Sequence, residues 1–402
     1  MRRRLLSAAV LATIVAAMSP WHGAGASFRG DNGSIVFASR RSGGDFDIVV
    51  RTSGGSEEVL TDDPGLDLDP AWSPDGTRIA WTSDAQATAF EIWVMNADGS
   101  DQVRLTTNPG SDTAPAWSPD GTRIVFVSGL DVWVMDADGS DQTQLTSTSR
   151  IAEGSPSWSP DGRTIAYTER RDGGNADIFT MTAKGGARTN LTSSAAEEGG
   201  PSWAPGGTKL VFGRGLETNS EIWVMRADGS GQRRLTQNDS RDGAAVWSPD
   251  GSLIAFANDA DGDFDLWTMR PDGSDATKLT DDGRSDFGPD WQPACTHLGT
   301  NGDDVLTGTP NADLLCGLGG IDTIDGLGGD DVIFGGDGND VLSGGGGDDV
   351  AVGGPGDDQL NGRGGRDLLN AIDDVAGNDA VDGGAGTDRC PADDGDTRAR
   401  CP

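Results

Sequence analysis

The chain is 402 residues long, with a formal net charge of −35 and a pI of about 4.1. The length suits two domains, and the acidity excludes nucleic-acid binding through phosphate contacts, which require Lys and Arg. Cations or basic surfaces are the partners such charge favours. Twelve Trp and a 35% hydrophobic fraction exclude a purely disordered polyelectrolyte.

In chain order, residues 1–26 read as a secretory signal peptide. Arg2, Arg3 and Arg4 form its charged region, Leu5 to Met18 its apolar run, and Ala24-Gly25-Ala26 the small residues before a cut at Ser27. The run is too short to cross a bilayer, and no other apolar stretch approaches the about 18 residues a span needs. No membrane span is expected, and the mature chain is expected to be secreted or on the exterior of the cell envelope. Loss of three Arg takes the charge from −35 to −35 − 3 = −38.

Residues 27–294 repeat six times. WSPDG begins at Trp72, Trp117, Trp158 and Trp247, with degenerate copies at Trp203 (WAPGG) and Trp291 (WQP), at spacings of 45, 41, 45, 44 and 44. A period in the forties indicates a solenoid, an array or a propeller. Each unit holds a β-rich run such as IVF or IAY, then one like IWVM, then a short one ending in Leu-Thr. Ser-Pro-Asp-Gly and Ala-Asp-Gly-Ser turns separate them. Four short strands per unit make a propeller blade. The first unit lacks its Trp strand and the last Trp strand lacks followers, so joining the ends closes a six-bladed β-propeller without exposed sheet edges.

Two positions in the repeat are acidic in every blade. Asp67, Asp112, Glu153, Glu198, Asp242 and Asp286 begin the Trp strand, and Asp47, Glu91, Asp131, Asp177, Glu221 and Asp265 begin the third strand. Both sets are expected around one mouth of the channel. They are either a cation or partner site or fasteners that accept backbone N–H groups of their loops. The fastener reading is preferred, since an acid present in every blade serves the architecture equally in all. The recurrent Trp residues are expected in the core between blades.

These residues carry a resemblance. WSPDG-x-x-IAF…IWVMNADGS…RLT resembles the TolB-like, WD-related propeller repeat over about two-thirds of the chain. The resemblance implies the fold. For function it implies only a range, from envelope-complex components and binding modules to appendages of peptidases or lyases.

From 299 the beat changes to nine residues. Blocks start at Gly299, Gly308, Gly317, Gly326, Gly335, Gly344, Gly353 and Gly362, then, after a three-residue slip at 371–373, at Asp374 and Gly383. The sixth place is always Asp and the eighth mostly aliphatic. A glycine-rich turn frees carbonyls to face a cation, the Asp adds a charged oxygen, and stacked turns supply the six to eight oxygens calcium prefers. Residues 299–402 hold 22 Asp against five Arg and no Lys, so folding is expected to depend on the metal. The array is similar to the GGxGxDxUx repeats-in-toxin (hemolysin-type) calcium-binding repeat, which implies a parallel β-roll over 295–391. By that resemblance the turn carbonyls and Asp304, Asp322, Asp331, Asp340, Asp349, Asp358, Asp367, Asp379 and Asp388 are calcium ligands. The block at 308, GTPNAD, lacks the glycine pairs, so Asp313 is left out. Arg363 and Arg366 bring positive charge into the block at 362.

Cys295, Cys316, Cys390 and Cys401 make an even set in an exported chain, which suggests disulfides. Three pairings are open. Cys295–Cys316 and Cys390–Cys401 are favoured because each closes a short loop at one end of the array, the second within a C-terminal tail, 392–402.

There is no H-E-x-x-H and no G-x-S-x-G, and His297 is the only histidine beyond the signal peptide. A non-enzymatic reading follows: a secreted calcium-binding protein whose propeller binds a protein or a cell-surface polymer. The alternative is an extracellular hydrolase or lyase with an acid-lined propeller site and the array as an export and stability appendage. Only the separation of paired acids would reveal it.

Overall fold

The computed structural model describes residues 30–40, 44–85, 89–147, 151–171, 174–216, 219–373 and 378–401. The signal peptide expected at 1–26 and the first residues of the block at Asp374 lie outside them. All regular structure among the described residues is β.

Six four-stranded antiparallel sheets form the propeller. Five follow chain order from the inside out, as in Asp67–Trp72, Arg78–Ser83, Glu91–Asn96 and Val103–Arg104. The sixth joins the two ends of the repeat region. Its inner strand, Asp286–Ala294, pairs with Asp31–Arg40, which pairs with Phe46–Arg51 and then Glu57–Val59. The closure expected from the incomplete first and last units is the closure formed.

Local chemistry explains the repeat. The Ser73 hydroxyl donates to Asp75 Oδ1 at 2.5 Å and accepts the Arg78 N–H at 2.9 Å, which ties the Ser-Pro-Asp-Gly turn. Gly76 closes it at φ +70°, in the left-handed region that a side chain disfavours. Trp72, Trp117, Trp158, Trp203, Trp247 and Trp291 are buried in the core. The Leu-Thr pairs have a specific task. Thr61, Thr106, Thr146, Thr192, Thr236 and Thr280 each accept, at 2.9–3.0 Å, the N–H of the second residue of their blade's third-strand motif. Each hydroxyl thereby satisfies a backbone donor where the short outer strand stops pairing.

Beyond the propeller the chain winds as a parallel β-roll with 18 residues per coil. One sheet stacks His297–Leu298, Leu314–Gly319, Val332–Asp337, Val350–Val352 and Leu368–Asn370. The facing sheet stacks Val305–Thr307, Thr323–Asp325, Val341–Gly346, Gln359–Gly365, Ala380–Asp382 and Thr397–Ala399. Eighth-place residues fill the space between them, with Leu315, Ile324, Ile333, Leu342, Ala351, Leu360, Leu369 and Val381 buried together. The slip at 371–373 lengthens one coil to 21 residues, and register resumes at Gln359↔Ala380. Disulfides join Cys295 to Cys316 and Cys390 to Cys401. The stretch 392–402 is more than the tail expected of it, because Thr397–Ala399 adds a strand to the second sheet.

Candidate metal centre

The sixth-place aspartates form two ladders, one along each edge of the roll. In the first, the backbone N–H of Asp304 donates to Asp322 Oδ1, that of Asp322 to Asp340, of Asp340 to Asp358 and of Asp358 to Asp379, at 2.7–2.8 Å. In the second, Asp313 donates to Asp331, Asp331 to Asp349, Asp349 to Asp367 and Asp367 to Asp388, at 2.8–3.0 Å. Beyond the first rungs, Asp304 and Asp313, one carboxylate oxygen of each aspartate thus locks its coil to the preceding one.

The other oxygen is left over. Oδ2 of Asp322, Asp340, Asp349, Asp358, Asp367, Asp379 and Asp388 is buried and accepts no hydrogen bond. An orphaned buried carboxylate oxygen is costly and calls for a cation. It points at the first glycine of its own turn. A Cβ added to Gly335 would overlap Asp340 Oδ2 and stand 2.6 Å from the Gly353 carbonyl oxygen of the next coil; Gly362 has the same relation to Asp367 and to the Gly383 carbonyl. At Gly317, Gly326, Gly335, Gly362 and Gly383 the first-place glycine leaves a cradle in which a carboxylate and a carbonyl oxygen converge. The fourth glycine has a different duty. At Gly338, φ is +135° and a Cβ would overlap the Gly320 carbonyl, so only glycine lets adjacent turns stack. All donors are oxygens, which suits a hard cation such as calcium and not zinc or copper.

Burial raises the carboxyl pKa of Asp349 to about 8 and of Asp358 to about 7, partly offset by the accepted N–H and reinforced by aspartates one coil away. Asp340, Asp367 and Asp379 rise to about 6 for the same leading reason. Several carboxylates pushed upward together mark a place where negative charge lacks compensation.

The structure separates the sequence candidates. Asp304, expected as a ligand, does not share the orphaned geometry. Its Oδ2 accepts the Thr300 N–H at 2.6 Å and the Thr300 hydroxyl at 2.8 Å. Asp313 is satisfied in the same way by Thr309. A threonine in second place thus takes up the oxygen a metal would use. Arg363 and Arg366 leave the Asp367 carboxylate alone; they pair with Asp325 at 3.5 Å and with Asp348 at 2.9 Å. Asp396 was missed. It accepts the N–H groups of Asn378 and Asp379 at 3.1 and 3.3 Å and so extends the first ladder by one coil. Its signal in the sequence is Asp-Gly-Asp at 394–396, one residue out of phase with the preceding block.

The propeller acids are arranged differently. Asp67, Asp112, Glu153, Glu198, Asp242 and Asp286 are all buried; four of them have side-chain donors close by in the fold, while one oxygen of Asp67, Glu198 and Asp286 and both of Asp112 accept no hydrogen bond. The Trp81 indole donates to Asp67 at 3.1 Å, Asn238 to Asp242 at 2.9 Å and the Arg214 guanidinium to Glu198 at 2.6 Å. Arg188, from the outer edge of its blade, reaches Glu153 at 3.1 Å. Burial pushes Asp67 and Asp242 up to about 6 and Asp286 to about 7. Of the second acid set, Asp265 comes within mutual reach of Asp261 and Asp263, but the Lys278 ammonium already bridges Asp261 at 2.6 Å and Asp265 at 2.9 Å.

Fold and site together define an all-β, calcium-binding protein made of a six-bladed propeller and a stacked nonapeptide roll. The family model of the TolB beta propeller domain matches residues 48–131 and 129–300, and the chain belongs to that family. The RTX calcium-binding nonapeptide repeat, whose ion is Ca2+, matches 298–333, 317–351 and 343–371. Solved structures of similar fold include TolB from Acinetobacter baumannii, at 21% identity over 65% of this chain and 67% of that one, TM-score 0.57. A putative TolB from Agrobacterium tumefaciens is 22% identical over 65% and 99%, TM-score 0.51. The hydrazine synthase of Kuenenia stuttgartiensis is 16% identical over 66% and 48%, TM-score 0.57. At such identities the likeness concerns the propeller fold alone. No curated protein sequence matches the chain. Among the described residues, no helix is long and apolar enough to cross a membrane.

Proposed function

We propose that this is a secreted calcium-binding protein whose roll takes up several ions and whose propeller is a binding module for a protein or a cell-surface polymer. Asp322, Asp331, Asp340, Asp349, Asp358, Asp367, Asp379 and Asp388 supply the charged oxygens, and the turn carbonyls of the adjoining coil supply neutral ones. The observation that carries the reading is the orphaned Oδ2, repeated along both ladders and aimed at a cradle only glycine leaves open. Export suits a paired-cysteine roll and an ion that is plentiful outside cells. The propeller acids, turned inward on their own blades, favour the binding-module reading over an acid-lined active site.

Calcium calorimetry on the purified chain, alongside far-UV circular dichroism, tests this. Several ions bound with a gain of strand signal, and loss of most of that heat in Asp340→Asn/Asp349→Asn/Asp358→Asn, is the expected result. Equal calcium heats in the triple variant would sink the ligand assignment.

A further inference from the structure

The two outer faces of the roll differ. Seventh-place side chains point away from the roll's core on both sheets. On the first they are Leu314, Val332, Val350 and Leu368, all buried. On the second they are Val305, Thr323, Val341, Gln359 and Ala380, all exposed, Val305 by 80%. What covers the first face is the propeller, on the side of its Ser-Pro-Asp-Gly turns. An added Cβ on Gly162, in the third blade's turn, would touch Leu368 Cδ2 at 3.4 Å, and one on Gly30 would press on Leu314 Cδ2 at 2.9 Å. Arg389 Nη1 donates to the Gly162 carbonyl at 3.1 Å, and Arg163 Nη2 to the Thr387 carbonyl at 3.2 Å. A cleft of about 510 Å³ runs along this seam, with Pro119, Pro160 and Trp203 on the propeller side and Val332, Val350 and Leu368 on the roll side.

Each seam residue directly follows a ladder aspartate: Asp331–Val332, Asp349–Val350, Asp367–Leu368. The carboxylate that faces the cation cradle and the side chain that faces the propeller are therefore held by one stretch of backbone. We propose that calcium uptake by the roll assembles this seam, so that calcium in the roll stabilises the propeller and the propeller in turn tightens calcium binding. The proposal rests on the calcium reading of the roll. Linkage requires the reciprocity, because an ion that favours the docked state is itself favoured by docking.

The sequence supplies a clean readout. Every tryptophan beyond the signal peptide lies between 72 and 291, and the roll has none. Tryptophan emission of the full chain thus comes from the propeller, with Trp203 at the seam itself, and its thermal transition reports propeller unfolding. In thermal unfolding read by tryptophan, saturating calcium is expected to raise the wild-type midpoint by about 5 °C. Val350→Asp/Leu368→Asp should abolish that rise while calorimetry still records calcium binding, weakened several-fold. Val341→Asp, on the exposed sheet, should keep both the rise and the wild-type affinity. Arg163→Ala/Arg389→Ala, which removes only the two seam hydrogen bonds, should reduce the rise without touching the roll's interior. Calcium binding with no movement of the wild-type midpoint overturns the proposal, as does a full rise in Val350→Asp/Leu368→Asp. Absence of any calcium heat in the wild type instead overturns the calcium reading itself, and the proposal with it.

Discussion

The propeller and the roll both place a buried acid at a fixed point of a repeat, and they differ in the donors they bring to it. In the propeller, indole, amide, hydroxyl and guanidinium donors within the same blade meet the carboxylate, as Trp81 meets Asp67 and Arg214 meets Glu198. In the roll, Asp340 and the ladder aspartates like it accept one backbone N–H from the coil before, and the second oxygen faces a gap; Asp304 and Asp313, met by threonines, are the exceptions. A 41–45-residue blade has room to encode a polar side chain for its acid. A nine-residue turn has room for one only where its second place is threonine, as at Thr300 and Thr309; where that place is not threonine, the second oxygen is left to a cation in the reading proposed above.

Calcium removal should expose this contrast most sharply. Chelation is expected to erase the roll's strand signal in far-UV circular dichroism while tryptophan emission still reports a folded propeller. Simultaneous loss of both signals would contradict the division of labour.

Next in size is a single methyl group. Gly335→Ala fills the cradle beside Asp340 and should weaken calcium binding at that coil by about tenfold or more. Gly346→Ala, whose Cβ would meet nothing within 4 Å, should bind as the wild type does. Calorimetry on the pair separates a cation cradle from a general intolerance of substitution.

The Cys390–Cys401 bond closes a loop of 11 residues at the end of the roll. Replacing both by serine should cost about 2–3 kcal/mol of roll stability, read as a lower unfolding midpoint of the calcium-loaded chain at unchanged tryptophan behaviour near room temperature.

Acidity offers a graded version of the same test. Burial in the folded roll pushes the carboxyl groups of Asp349 and Asp358 up to about 8 and about 7 when no cation offsets it, above the ordinary carboxyl value of 3.8. A raised folded pKa means that the folded state holds protons the unfolded state has released. The metal-free roll therefore gains stability as pH falls from about 8 towards 4, and loses it as pH rises through the same window. Calcium needs the ionised form, so the calcium concentration at half-folding should climb as pH drops from 8 to 5. A midpoint insensitive to pH would remove these carboxylates from the ligand set.

The smallest change belongs to the propeller. Thr106→Val leaves the Ile92 N–H and the Glu91 carboxylate without the hydroxyl that joins them at 2.9 and 2.8 Å. A loss of about 1–2 kcal/mol is expected, seen in tryptophan-monitored denaturation with calcium binding unaltered.

Much of this contrast is legible in the chain. The WSPDG period with its incomplete ends dictates a closed propeller, because unpaired edges cannot be left at the join. The nine-residue period with aspartate sixth and an aliphatic eighth dictates stacked turns, because so thin a core can be buried only by neighbours. Other features depended on which atoms meet. Thr300 and Thr309 look like ordinary turn residues until their hydroxyls are seen on Asp304 and Asp313. Asp396 looks out of phase until the strand Thr397–Ala399 restores register. The alternation of seventh-place residues, apolar at 314, 332, 350 and 368 and mixed at 305, 323, 341, 359 and 380, was present as a period of 18 but invisible at a period of nine.

The sequence by itself determined two repeat architectures, the calcium-binding class of the second and the register of its aspartates, because local periodicity decides which side chains point inward. The tertiary structure alone decided which carboxylate oxygens remain unsatisfied, which acids are neutralised at home, and which face of the roll lies on the propeller. Those outcomes depend on donors and surfaces brought together from positions tens to hundreds of residues apart, as when Arg389 meets Gly162, and no local pattern encodes such a meeting.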